Sequence, residues 1–196
     1  MNKPNKLIQL NVNPNATPEE KKQSLETILS KIQKILLIVL PLAGIVSLLF
    51  ILLGNSFVYT DLLGEKISCG FSSKEIDSLS AKYVKLLGPY LALAALSYTP
   101  SIIAFILEAV GLLVILKFAS NKYARIALLI ATAVSALVSV LLFLSCFGTY
   151  ISISTTKYYQ PELGPTLISF VVLFLNIAAA MCSIVFTSTQ KQLESL

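Results

Sequence analysis

The chain has 196 residues, 56% of them hydrophobic and 13% charged, with a mean hydropathy of +0.80 and a formal net charge of +5. A water-soluble domain carries about a quarter charged residues, so the composition excludes a soluble globule and points to a membrane protein. Histidine and tryptophan are both absent, which removes histidine triads, most zinc sites and histidine-held haem. No cofactor and no metal is expected.

Residues 1–16, rich in Asn and Pro and without apolar periodicity, read as a disordered tail. Asn15-Ala16-Thr17 matches the glycosylation pattern, but it lies on the side expected to be cytoplasmic and is expected unmodified. The motif "TPEE" then starts a helix. Thr17 can accept from the amide of Glu20 while Glu20 reaches back, as in a capping box, and Pro18 suits the first helical position. Leu25, Ile28, Leu29, Ile32 and Leu36 recur at helical spacing, with Lys21, Lys22, Lys31 and Lys34 mostly off that stripe. Residues 17–34 are therefore a basic amphipathic helix. It is either a surface-lying or partner-docking helix or, the favoured reading, an ordinary juxtamembrane extension of the first span.

Four apolar runs, 35–53, 99–118, 126–147 and 166–187, are long enough to cross a bilayer at about 20 residues each. The first follows a long polar segment and so reads as a retained anchor, not a cleaved signal. It carries Pro41 and Gly44, a tolerated kink site. The first loop, 54–98, has strand character in "SFVYT" and "KISCGF", with Asp61 and Gly64 as turn residues. A short amphipathic helix is expected over 73–87, broken by Pro89. Residues 90–98 are also apolar, so span two is expected to begin early, with a kink at Pro100.

The link "ASNKYAR" is short enough to make spans two and three an antiparallel hairpin. The second loop, 148–165, holds Tyr158 and Tyr159, which read as interface anchors. Residues 188–196 form a polar tail without a retention or lipidation signal.

Ten basic residues fall on the side of the termini and the 117–125 link, against five on the side of the two loops, where five acids offset them. Both termini are thus expected in the cytoplasm. The fold class expected is an all-α membrane protein: a four-transmembrane-helix bundle with a larger first outer loop. The basic excess fits an anionic inner leaflet and has none of the interleaved aromatics of a nucleic-acid surface.

One residue stands out. Glu108 lies in the middle of the apolar "SIIAFILEAVGLLVILKF". At 1.5 Å rise per residue, Ser135 and Asn176 reach the same depth in spans three and four, and Gly44 and Ser47 do so in span one. Ser101, Ala104, Glu108 and Gly111 share a face of span two, and Ala127, Ala131, Ser135 and Ser139 share one of span three. Small residues at such spacing let helices approach closely in lipid. Glu108 is expected to face the bundle interior, within reach of Asn176 or Ser135. An intramembrane acid is by default a candidate relay for protons or cations. The alternative, and the favoured one, is a neutral acid clamping helices together, because no inverted repeat and no second intramembrane acid accompanies it.

Of the three cysteines, Cys69 lies in the first loop, Cys146 near the end of span three and Cys182 in span four, without metal spacing. A Cys69–Cys146 disulfide is permitted by compartment, but Cys146 reads more simply as a small buried apolar residue. An enzyme is not expected.

The four spans, the larger strand-bearing first loop, the shorter second loop and the start of span three, "NKYARIALLI", resemble the claudin-like tetraspan superfamily, including its fungal plasma-membrane branches, over residues 35–187. That group's first loop carries a tryptophan signature and a cysteine pair, whereas this chain has no tryptophan and only Cys69 there. Cys69 alone carries over, as a loop-contact position. The resemblance implies membrane organisation, cell contact or an accessory-subunit role at the plasma membrane, with other membrane proteins or copies of itself as partners. Two further expectations stand beside it: a small transporter or channel subunit using Glu108, and a structural subunit of a large organellar complex.

Overall fold

A computed structural model of the protein describes residues 17–53, 55–60, 66–70, 81–154, 160–161 and 163–196. Helices α1 (Pro18–Leu53), α2 (Ala81–Lys117), α3 (Lys122–Ser154) and α4 (Gly164–Leu193) alternate in direction. Strands β1 (Asn55–Thr60) and β2 (Lys66–Gly70) lie between α1 and α2, and β3 (Gln160–Pro161) lies before α4. All four helices are long and apolar enough to cross a membrane. The protein is an integral, multi-pass membrane protein.

Helices α1 and α3 start where a side chain supplies a partner for their free amides. At α1 the capping box is formed: the Thr17 amide donates to Glu20 Oε2 at 2.8 Å and the Glu20 amide donates to Thr17 Oγ1 at 3.3 Å. At α3, Asn121 Oδ1 accepts from the amides of Tyr123 at 2.9 Å and Ala124 at 3.4 Å. At α4, a proline in the first turn needs no amide partner. Helix α1 runs unbroken through Pro41. Helix α2 runs from Ala81 through both Pro89 and Pro100, so the break expected at Pro89 does not occur. A proline removes one amide and crowds the preceding turn, yet long apolar helices tolerate this when neighbours support the freed carbonyl. Of the helix expected over 73–87, the part before Ala81 lies outside the described residues, as do the tail 1–16 and the loop tyrosines Tyr158 and Tyr159.

The helices form a square in which α1 packs against α2 and α4, and α3 packs against the same two. Neighbours are antiparallel, as short connections require. Buried positions alternate at spacings of three and four, as in Ser101, Ala104, Glu108, Gly111 and Ile115 of α2. That repeat marks left-handed, coiled-coil-like packing.

The core is layered. At the end of the bundle that holds the chain termini, Ile32, Leu36, Leu40, Ile115, Leu128 and Phe186 form an apolar cluster, and Ile28 and Leu29 pack on it. The apolar stripe of the juxtamembrane helix is thereby engaged by the bundle itself. At the other end, Phe50, Leu142, Cys146 and Val172 form a second cluster. Small and polar side chains fill the space between. Beyond the second cluster lies a three-stranded sheet in the order β2-β1-β3. Both pairings are antiparallel, with Tyr59 opposite Ile67 on one side and Pro161 on the other. The two loops are therefore joined through backbone pairing.

Candidate functional site: a polar layer between two apolar clusters

Most polar side chains along the helix seams satisfy themselves. The hydroxyls of Thr132, Ser139 and Ser183 donate to the carbonyls of Leu128, Ser135 and Ala179, four residues back, at 2.8–2.9 Å. Such back-bonding lets a small hydroxyl sit in a helix interface at little cost. Ser135 departs from this pattern, because its hydroxyl points across the bundle.

Ser135 Oγ lies 3.3 Å from Glu108 Oε1 and 2.6 Å from Asn176 Oδ1. Asn176 Nδ2 donates to the carbonyl of Val172 at 3.0 Å. All three side chains are at most 2% exposed. The three residues expected to share a layer are thus brought together: Ser135 bonds Asn176, and both side chains lie against the Glu108 carboxyl. Helix α1 contributes Ser47, fully buried beside the carboxyl, and Gly44, where an added Cβ would lie 3.4 Å from Glu108 Oε2. Neither Ser47 Oγ nor Glu108 Oε2 makes a hydrogen bond in the described geometry.

The small-residue face of α3 needs correction. Ala131, Ser135 and Ser139 are buried, but Ala127 is exposed and Leu128 takes its place in the seam. A series stepping by four overshoots the turn by about 40° each time, so a seam alternating three and four leaves such a series behind. Cys146 is buried in the second apolar cluster as a free thiol. Cys69 occupies β2, opposite Phe57 of β1.

Comparison with known proteins finds no matching family model, curated protein or solved structure. The chemistry of the layer has to be read from its own atoms. One carboxyl, two hydroxyls and one amide from four helices meet where no water is available to a lipid-embedded bundle. Along α2 the charged residue nearest in sequence to Glu108 is Lys117, nine positions away and exposed.

A second buried polar group was read in the sequence only as a topology charge. Arg125, in the first turn of α3, is 3% exposed. It pairs with Glu194 just past the end of α4 and donates to Gln190 Oε1 at 3.2 Å. No local sequence signal marks this contact, since its partners are 65 and 69 residues away.

Proposed function

We propose that this protein is a non-catalytic tetraspan that organises a membrane or serves as an accessory subunit, with the Glu108 layer as its internal clamp. The observation that carries this reading is the closure of the layer: Glu108 touches Ser135, Ser135 touches Asn176, and Asn176 ends on the backbone carbonyl of Val172. The Ser135 contacts tie α2, α3 and α4 together, and a chain that ends with an amide on a carbonyl of its own helix does not pass a proton onward. The outward faces, with Ile38, Leu113, Leu137 and Phe174 among their exposed residues, are apolar and suited to lipid or to the helices of a partner.

The finer features are proposed with it. The termini lie in the cytoplasm, which is supported by exposed Lys31, Lys34, Lys117, Lys122 and Lys191 near one end of the bundle; the same lysines suit an anionic leaflet. The sheet then faces outward or into a lumen and offers a contact surface that includes the Cys69 strand. Placement in the plasma membrane and kinship with claudin-like tetraspans rest on the resemblance of the four-span plan alone. A mild-detergent pull-down from native membranes, quantified by mass spectrometry, tests the role. A stoichiometric membrane-protein partner, or a defined self-assembly, is expected; recovery of the chain as a lone monomer sinks the proposal.

A second reading has one observation in its favour. Glu108 Oε2 and Ser47 Oγ are buried without hydrogen bonds, as oxygen ligands awaiting a small cation would be. Ion flux in reconstituted vesicles that is lost in Glu108→Gln would establish it.

A further inference from the structure

The Ser135 hydroxyl faces two oxygens with a single proton, and this local imbalance locates a second proton. Asn176 fixes one end. Its amide must present NH2 to the Val172 carbonyl, because two oxygens facing each other at 3.0 Å would repel. Its Oδ1 therefore faces Ser135 Oγ, and at 2.6 Å only the Ser135 proton can lie between them. A hydroxyl has one proton, so Ser135 has none left for Glu108 and turns a lone pair toward Oε1, 3.3 Å away. Two bare oxygens in a buried site are unfavourable. The contact is attractive only if the proton sits on Oε1.

The far side of the carboxyl gives the same answer. With the proton on Oε1, Oε2 is a carbonyl oxygen that needs a donor. Ser47 Oγ, buried beside the carboxyl, is a donor likewise without a partner in this geometry, and a small side-chain movement that brings the two oxygens together would satisfy both. Among the described residues no other charged group competes for either oxygen. The neighbours are Gly44 and Ser47 on α1, Ser135 on α3 and Asn176 on α4, and none of them titrates.

We infer that Glu108 is a neutral hydrogen-bond donor at the centre of one directed chain that crosses all four helices: Ser47 hydroxyl to Glu108 Oε2, Glu108 Oε1 proton to Ser135, Ser135 proton to Asn176 Oδ1, and Asn176 amide to the Val172 carbonyl. The second N–H of Asn176 is left over, close to the Glu108 carboxyl. The chain has a polarity, from α1 to α4, and Glu108, like Asn176, both accepts and donates through separate atoms of a single planar group. Glutamine is the one other side chain of the same length that can do this, accepting at Oε1 and donating at Nε2.

This inference rests on reading the layer as an internal clamp, and infrared difference spectroscopy on the full chain in bilayers at neutral pH tests it. Wild type minus Glu108→Gln is expected to show the C=O band of a protonated carboxylic acid. Ser47→Ala is expected to move that band to higher frequency, because the carbonyl loses its donor, and Ser135→Ala to displace it by freeing the acid proton. A carboxylate pair of bands in place of the acid band overturns the inference, as does an acid band unmoved in both serine variants. Should Glu108→Gln fail to fold, the Ser135→Ala shift identifies the same carboxyl, because only an acid touching Ser135 responds. Failure of the scaffold role appears elsewhere, as loss of partners from the wild-type pull-down with the acid band intact.

Discussion

Gly44 of α1 lies over the carboxyl of Glu108 in α2, so close that a methyl group at Gly44 would stand 3.4 Å from Oε2. That is ordinary contact, and one carbon fills it. Gly44→Ala is expected to leave the thermal stability of the detergent-solubilised protein unchanged within experimental scatter. Gly44→Val adds two further carbons against the carboxyl and is expected to cost about 1–3 kcal/mol through overpacking. Equal stability of the two variants would mean that α1 can withdraw from the layer.

Removing the acid outright should be far worse than replacing it by its amide. Glu108→Ala opens a cavity and strands Ser135, with an expected loss of about 2–4 kcal/mol. Glu108→Gln should lie close to wild type. Ser135→Ala, which breaks interhelical bonds without a large cavity, should cost about 1–2 kcal/mol. Reversible unfolding in mixed micelles ranks the three, and an Ala variant as stable as the Gln variant would remove the clamp role.

Arg125 and Glu194 each sit at the wrong end of their own helix. A cation opposes the positive N-terminus of α3 and an anion opposes the negative C-terminus of α4, and their pairing offsets both. Glu194 is about half exposed, so solvent screens the pair and Glu194→Ala should cost about 1 kcal/mol at most. Exchanging the two charges, R125E with E194R, restores the pair and corrects both dipole terms. The double variant is expected to be at least as stable as wild type in low salt, and each single variant less stable. A double variant no better than the singles would mean that the shape of Arg125 matters more than its charge.

The capping box at the start of α1 should respond to acid. Hydrogen bonds from the Thr17 amide and then from its hydroxyl hold the Glu20 carboxyl below its usual value of 4.5. A depressed value in the folded state means that the stabilisation is present above the ordinary value and fades as pH falls through the lowered one. Protection of the amides of residues 19–22, measured against their intrinsic exchange rates, should therefore fall below about pH 4.5, and Glu20→Gln should abolish that loss. Protection falling in parallel in both proteins would place the acid sensitivity elsewhere.

Much of the layer was legible in the sequence, for a geometric reason. Glu108, Ser135 and Asn176 each fall at the midpoint of an apolar run, and spans of similar length crossing one bilayer bring their midpoints to a common depth. The four helices follow from the same apolar runs. Other features depended on quantities that a linear pattern does not carry. Ala127 was misplaced because a fixed step of four drifts around the helix, whereas the seam is set by how two helices coil around each other. The ends of α2 were hidden by Pro89, since the local rule that proline stops a helix yields when the surrounding medium forbids an open backbone. Arg125 looked like one more basic residue at a span boundary; only the return of α4 to the same end reveals its burial. The pairing of Tyr59 with Pro161 joins segments about a hundred residues apart and leaves no local trace.

The two apolar clusters on either side of Glu108 have a consequence for assembly. Helices built on a repeat of seven look alike after a slide of seven residues, roughly 10 Å, and nothing in leucine-on-leucine contact tells one alignment from the next. Such a slide of α2 would drive an acid among Leu36, Phe186 and their neighbours, or into Phe50 and Leu142, where no donor or acceptor waits for it. One carboxyl thus serves as an index mark. Four otherwise interchangeable rods, inserted separately into the lipid, have a single position at which they can stop sliding past one another.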